Sequence, residues 1–180
     1  DYYIVPRITE PGYVDIILDI CKKEHINGVF SLIDPELSLL AEHRERFLAV
    51  SCTPIISPYD AVETCFDKYR MYQKLLELGI PTAKCYVDSD TFQEAVDAGE
   101  ISFPVFVKPV KGSASININR VQGPKEIDVL FSLYDDLMVQ EYMHGTEYGA
   151  DVYIDLISGK TKAIFVKKKI AMRAGETDKS

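Results

Sequence analysis

The 180-residue chain carries 20 Lys and Arg against 28 Asp and Glu, a formal net charge of -8, with 47% hydrophobic and 27% charged residues. This composition buries a substantial core in one or two domains and excludes a disordered chain. The acidic balance leaves no overall footprint for DNA or RNA, despite a local basic cluster at Lys167, Lys168 and Lys169.

No apolar run approaches the ~20 residues that span a bilayer, and no signal-peptide pattern opens the sequence. The expected setting is the cytosol, with neither membrane nor nucleic acid as partner. Cys21, Cys52, Cys65 and Cys85 are scattered without CxxC spacing and read as buried, reduced thiols.

In chain order, residues 2–5 read as a strand and 11–26 as a helix with Val14, Ile17, Leu18 and Cys21 on one face. A strand follows at 28–33. Asp34 then suits an N-cap with Pro35 at the first helical position, and Leu37, Leu40, Phe47 and Leu48 mark the buried side of the next helix. Residues 53–57 read as a third strand. Strands alternating with helices predict parallel βαβ units, so 1–57 reads as half of a doubly wound, Rossmann-like sheet. It holds no GxGxxG turn, and dinucleotide binding is not expected there.

From Pro58 the pattern is helical through Leu78, with Gly79 as a stop and Pro81 beyond it. This linker, 58–81, carries Asp67 and Lys68. The next unit, 82–143, reads strand (82–87), helix (91–98), strand (103–109), strand (116–121), helix (124–134) and strand (137–142), a split βαβ arrangement of four strands and two helices. Residues 144–180 open a second sheet, with strands at 146–155 and 161–172 turned by Ser158-Gly159. A nucleotide would lie between these two sheets.

The residues that carry chemistry cluster between Phe103 and Asp155. Lys108 stands inside an apolar strand run, where desolvating an ammonium is costly unless an anion faces it; the alternative is a side chain that snorkels to solvent. Directly after it, Lys111, Gly112, Ser113, Ala114 and Ser115 offer a small-residue turn whose N–H groups can close over phosphates, or simply an ordinary hairpin turn. Glu141, Tyr142 and Met143 end a strand whose backbone can face a base edge. Beyond the Gly145 turn, Glu147 can accept both hydroxyls of a ribose. The competing reading of Glu141 and Glu147 is as edge-strand charges that discourage sheet-to-sheet association. His25, His43 and His144 form no catalytic set and suggest no metal site, and no GxSxG nucleophile turn occurs.

These blocks, together with YIVPRITEPGYVDIIL, SLIDPELSLLAEHRERF, DKYRMYQKLLELGIPTAKCY and KKKIAMRAGETDKS, resemble in order and spacing the ATP-grasp superfamily of carboxylate-amine ligases. The resemblance runs over nearly the whole chain and is strongest to a half-module of the carbamoyl phosphate synthetase large subunit. It implies an α/β protein, with a Rossmann-like pre-ATP-grasp sheet at 1–57, a helical linker at 58–81, an ATP-grasp lid at 82–143 and the start of the large ATP-grasp subdomain at 144–180.

For function, the resemblance implies ATP-dependent activation of a small carboxylate or bicarbonate, followed by attack of an amine or ammonia. Lys68 and Lys108 would steady the phosphates, Gly112, Ser113, Ala114 and Ser115 would cover them, Glu141 to Met143 would read adenine, and Glu147 would hold the ribose. Arg173 would contact substrate or phosphate, although a plain surface charge is the other reading, and Lys68 beside Asp67 likewise has the alternative of a solvated helix charge.

The synthetases themselves have arginines at the positions of Lys68 and Lys108 and a more glycine-rich loop, so carbamoyl phosphate is not implied as the product. The opening without Met and the polar end at Lys179-Ser180 suggest an excised piece, with the Mg²⁺ ligands expected beyond residue 180 and no turnover expected of the piece alone. A protein kinase would place its glycine loop before the lysine and carry HRD and DFG motifs, none of which is found here. A noncatalytic nucleotide-binding module, or another ATP-grasp peptide or amino-acid ligase, remains the alternative.

Overall fold

The helix α1 (Tyr13–Lys23) forms because Val14, Ile17, Leu18 and Cys21 recur on one stripe, and Gly12, at φ 83°, makes the left-handed entry that a residue with Cβ resists. The computed structural model describes residues 2–112, 118–173 and 176–179, those from Met172 onward in backbone only. Strand β1 (Gly28–Val29) pairs in parallel with β2 (Thr53–Pro54), Gly28 opposite Thr53. Between them run α2 (Asp34–Glu42), with Pro35 in its first turn, and α3 (Arg44–Ala49). Leu18, Cys21, Leu40, Phe47 and Cys52 form the core of this first unit.

Residues 2–5 differ from the expected strand: Tyr2 and Ile4 stand exposed, with no ladder partner among the described residues. Extended apolar residues become a strand only where a neighbour takes up their backbone groups. The expected strand at 28–33 likewise shortens to β1, and the helix after Asp34 breaks at His43.

The helical stretch after Pro58 divides at Asp67 into α4 (Tyr59–Phe66) and α5 (Lys68–Glu77). The Asp67 carboxylate accepts the N–H groups of Tyr69 at 3.1 Å and Arg70 at 2.9 Å, so it starts a new helix where an uninterrupted one was expected. The chain falls into two compact units at this point, Asp1–Phe66 and Asp67–Ser180.

In the second unit β3 (Cys85–Tyr86), β4 (Val105–Pro109), β5 (Asn119–Val121) and β6 (Leu137–Glu141) form one sheet in the order β3-β6-β4-β5. Every neighbouring pair is antiparallel, so β3 and β4 run parallel with β6 inserted between them, which is the split βαβ arrangement. Helix α6 (Ser89–Asp97) starts where the Asp88 carboxylate accepts the Thr91 N–H at 2.9 Å, and α7 (Pro124–Leu133) starts on its proline.

Alternation decides the two faces. Val105, Val107, Val121, Leu137 and Val139 turn to one side and pack with Phe92, Ala95 and Ile127 of the helices. Phe106 and Lys108 therefore turn to the other side.

A separate hairpin pairs β7 (Tyr148–Ile154) with β8 (Thr161–Lys168). Its turn is held by Asp155, which accepts the Ser158 N–H at 2.9 Å, with Gly159 at φ 65° donating to the Asp155 carbonyl at 2.8 Å. The Ser158 hydroxyl, which also donates to this carboxylate, and then the Ser158 N–H hold the Asp155 carboxyl below its usual range. Short strands β9 (Ala171–Arg173) and β10 (Glu176–Lys179) follow as an antiparallel pair.

Candidate functional site

The free face of the four-stranded sheet has a covered end and an open end. At the covered end Tyr69 and Tyr72 of α5 pack on Cys85, Val110 and Met138. Toward the open end the register sets Phe106 opposite both Arg120 and Gln140, and Lys108 opposite Met138. A cleft of about 620 Å³ begins there, lined by Ala83, Phe106 and residues 140–148.

Lys108 is half-buried, and its ammonium donates to the Gln140 side-chain oxygen at 2.6 Å. An anion is the expected partner of a lysine in an apolar strand. The structure supplies a neutral amide, whose NH₂ in turn points to the Cys85 sulfur at 3.5 Å. Burial above all holds the Lys108 ammonium below the usual lysine value; Cys85 pulls the other way, and the neighbouring Lys68 adds to the depression. Burial also pushes the Cys85 thiol up. A half-desolvated cation held by one neutral oxygen retains most of its attraction for an incoming anion.

Lys68 sits at the first turn of α5, and its ammonium donates to the carbonyls of Pro109 at 3.1 Å, Val110 at 3.3 Å and Gly112 at 2.7 Å. It is thus tied to the backbone leaving β4, and the solvated-helix alternative does not describe it. Gly112 has φ 109°, a conformation that favours glycine. Ser113, Ala114 and Ser115 lie outside the described residues.

Glu141 uses its carboxylate inside the fold, accepting the Lys84 N–H at 3.0 Å, while its own N–H donates to the Lys84 carbonyl at 2.9 Å. Beyond it β6 ends, and the backbone of Met143 meets no hydrogen-bonding partner among the described residues. Tyr142 packs on Phe106 and His144, with ring centroids 5.3 and 4.6 Å away, and the Arg120 guanidinium lies 4.6 Å over its ring. Glu147 lines the same cleft and pairs with Lys169 at 2.5 Å. Arg173 falls in β9, where only backbone is described.

The fold thus brings Lys108 to the free sheet face and Glu141, Tyr142, Met143 and Glu147 to the cleft that opens from it, with Lys68 and Gly112 beside the end of β4; Glu141, opposite Val105, turns its side chain to the helix side. Gln140 and Arg120 were not foreseen as side chains of this site. Period-two counting from Phe106 and Lys108 would have found them only once the strand pairing was known. Cys65 is exposed, unlike the buried Cys21, Cys52 and Cys85. Among the described residues no group of three His, Cys, Asp or Glu comes together to hold a metal, so no Mg²⁺ ligand is assigned and no step is derived through that ion. No helix among them is long and apolar enough to cross a membrane.

Residues 1–55 match a family model described as PylC-like, N-terminal domain. The arginine-specific large chain of carbamoyl phosphate synthase from Geobacillus stearothermophilus is 24% identical over 160 residues, covering 86% of this chain and 15% of that protein. The D-alanine–D-alanine ligase of Leptospira interrogans serogroup Icterohaemorrhagiae serovar copenhageni is 27% identical over 169 residues, covering 83% of this chain and 48% of the ligase. Among solved structures, the biotin carboxylase domain of Hydrogenobacter thermophilus 2-oxoglutarate carboxylase, in complex with MgADP, ADP and bicarbonate, superposes with a TM-score of 0.73 at 15% identity, over 97% of this chain and 42% of that one. The chain therefore spans less than half the length of each of these relatives. It carries the ATP-grasp fold, its residues 1–55 resemble a PylC-like N-terminal domain, and most of its length is similar to carbamoyl phosphate synthase large chains.

Proposed function

We propose that this chain is the nucleotide-binding part of an ATP-grasp ligase that activates a small carboxylate or bicarbonate as an acyl phosphate and joins it to an amine or ammonia, releasing ADP. One observation carries the reading. A half-buried lysine and a base-sized cleft share one sheet face, with an uncommitted strand-end backbone and a carboxylate along the cleft wall. The likeness to ligases and to a carboxylase domain in complex with MgADP and bicarbonate supports it.

In this reading adenine lies against the strand end, where the Met143 backbone meets its hydrogen-bonding edge, and Phe106 and Tyr142 supply apolar wall. Glu147 accepts the ribose hydroxyls. The phosphates run toward Lys108, which exchanges or shares its bond to Gln140 for a phosphate oxygen. Lys68, fastened to three carbonyls, fixes the turn that begins at Gly112 and adds positive potential beside the phosphates. Phosphoryl transfer needs little covalent help from a protein; positioning and charge neutralisation dominate, and these are what the two lysines provide. Mg²⁺ supplies further charge neutralisation when bound. Arg173 is assigned to the acyl phosphate or its precursor, the lid to 82–143 and the start of the large subdomain to 144–180.

Two measurements test this. ADP at 100 times its dissociation constant should stabilise the chain by about 2.7 kcal/mol, and GDP at the same concentration by clearly less, since the strand end reads an adenine edge; equal stabilisation by both removes the adenine role of the strand end. The complete cycle is proposed for a protein that carries the whole fold. Such a protein should release ADP and phosphate only when a carboxylate or bicarbonate is supplied together with an amine, whereas AMP and pyrophosphate would rule out the acyl phosphate.

A further inference from the structure

Glu147 is a mobile kind of residue for the work given to it. A glutamate accepts two vicinal hydroxyls only in a restricted orientation, and an exposed glutamate samples many rotamers. The Glu147 side chain is 64% exposed, yet it is held. Lys169 stands directly across the hairpin: its N–H donates to the Glu147 carbonyl at 2.9 Å and its ammonium to Oε1 at 2.5 Å. The Lys169 side chain is only 23% exposed. Its stem lies over Gly149, where an added Cβ would meet its Cε at 3.7 Å. Two residue pairs along, Lys167 reaches Asp151 at 2.8 Å, so each of the two lysines has its own carboxylate.

We infer that Lys169 is a positioning residue for ribose recognition: it fixes the Glu147 carboxylate by one oxygen and leaves Oε2 to accept the ribose hydroxyls, which makes affinity depend on those hydroxyls. The inference rests on the ribose role proposed for Glu147. A carboxylate offers about four lone-pair sites, so an ammonium on one oxygen leaves room for two further donors. Exposed ion pairs contribute little to stability, so this pair should register in recognition and leave the melting temperature almost unchanged.

The test is calorimetric titration of ADP and 2′,3′-dideoxyADP into the unsubstituted chain and into Lys169→Met, Lys169→Gln and Lys169→Arg. The unsubstituted chain should prefer ADP by about tenfold or more, the scale of a hydrogen bond to a charged group. Lys169→Met and Lys169→Gln should lose most of that preference at unchanged melting temperature, and Lys169→Arg should keep it. An ADP preference as large in both neutral variants as in the unsubstituted chain overturns the inference while leaving Glu147 its role. If the unsubstituted chain binds ADP and dideoxyADP alike, Glu147 does not read the ribose and the inference falls with it. If it binds neither, the nucleotide reading itself is overturned.

Discussion

Lys108→Met should weaken ADP and ATP by roughly 1.5 to 3 kcal/mol each, the scale of a lost hydrogen bond to a charged group, and should leave adenosine nearly untouched. The asymmetry follows from position. Lys108 lies two residues along β4 from Phe106, on the same face, so a nucleoside seated against Phe106 and the strand end brings its phosphates to the lysine while its base stays clear. Calorimetry with ADP and adenosine checks this; equal losses for both would mean that the lysine only holds Gln140 in place.

The same residue gives a pH dependence with a definite sign. Its charged form is held down by burial, so the cation is lost at a pH below the ordinary 10.5, and ADP affinity should begin to fall before that value is reached. Stability runs the opposite way. Between the depressed folded value and 10.5 the unfolded chain binds more protons than the folded one, so this group makes the fold more stable as pH rises through that window.

Phe92→Ala should destabilise the second unit by about 3 to 5 kcal/mol. The ring is 1% exposed and meets Tyr86 and Phe103 edge-on, each at 5.8 Å, so truncation removes both aromatic contacts and opens a cavity between α6 and the sheet. Urea unfolding measures the loss, and ADP binding should fail at the same denaturant concentration as the sheet. A cost below about 1 kcal/mol, no more than the centre of the range for point substitutions in general, would show that the helix layer repacks without Phe92.

The four-stranded sheet was legible because β4 and β6, of five residues each, are long enough to show their apolar pattern and α7 opens on Pro124, which signals a start in any context. Lys108 was legible for the same reason: a cation in an apolar run violates the local pattern. What the sequence hid was pairing across distance. Gln140 meets Lys108 from 32 residues away, and Lys169 meets Glu147 from 22 away. Polar residues carry no mark of which partner the register will give them. The two-residue lengths of β1 and β2 were hidden too, because apolar runs extend past the point where neighbouring backbone stops pairing. Residues 2–5 fail as a strand for that reason. In sequence Asp67 is only the neighbour of Lys68; its own carboxylate, by capping two N–H groups, begins α5 where α4 has ended.

Because β6 is the last strand of its sheet in sequence and lies between β3 and β4, assembly depends on its arrival. While the chain is being made, β4 and β5 can pair as neighbours, but β3 has no partner until residue 137 and beyond are available. Such long-range closure is slow compared with hairpin formation. The strand that completes the sheet also carries Leu137 and Val139 into the core on one side and Gln140 toward Lys108 on the other. The closing of the core and the placing of Gln140 against Lys108 are therefore finished by a single insertion, and a nascent sheet lacking β6 has neither a closed core nor this partner for its half-buried lysine.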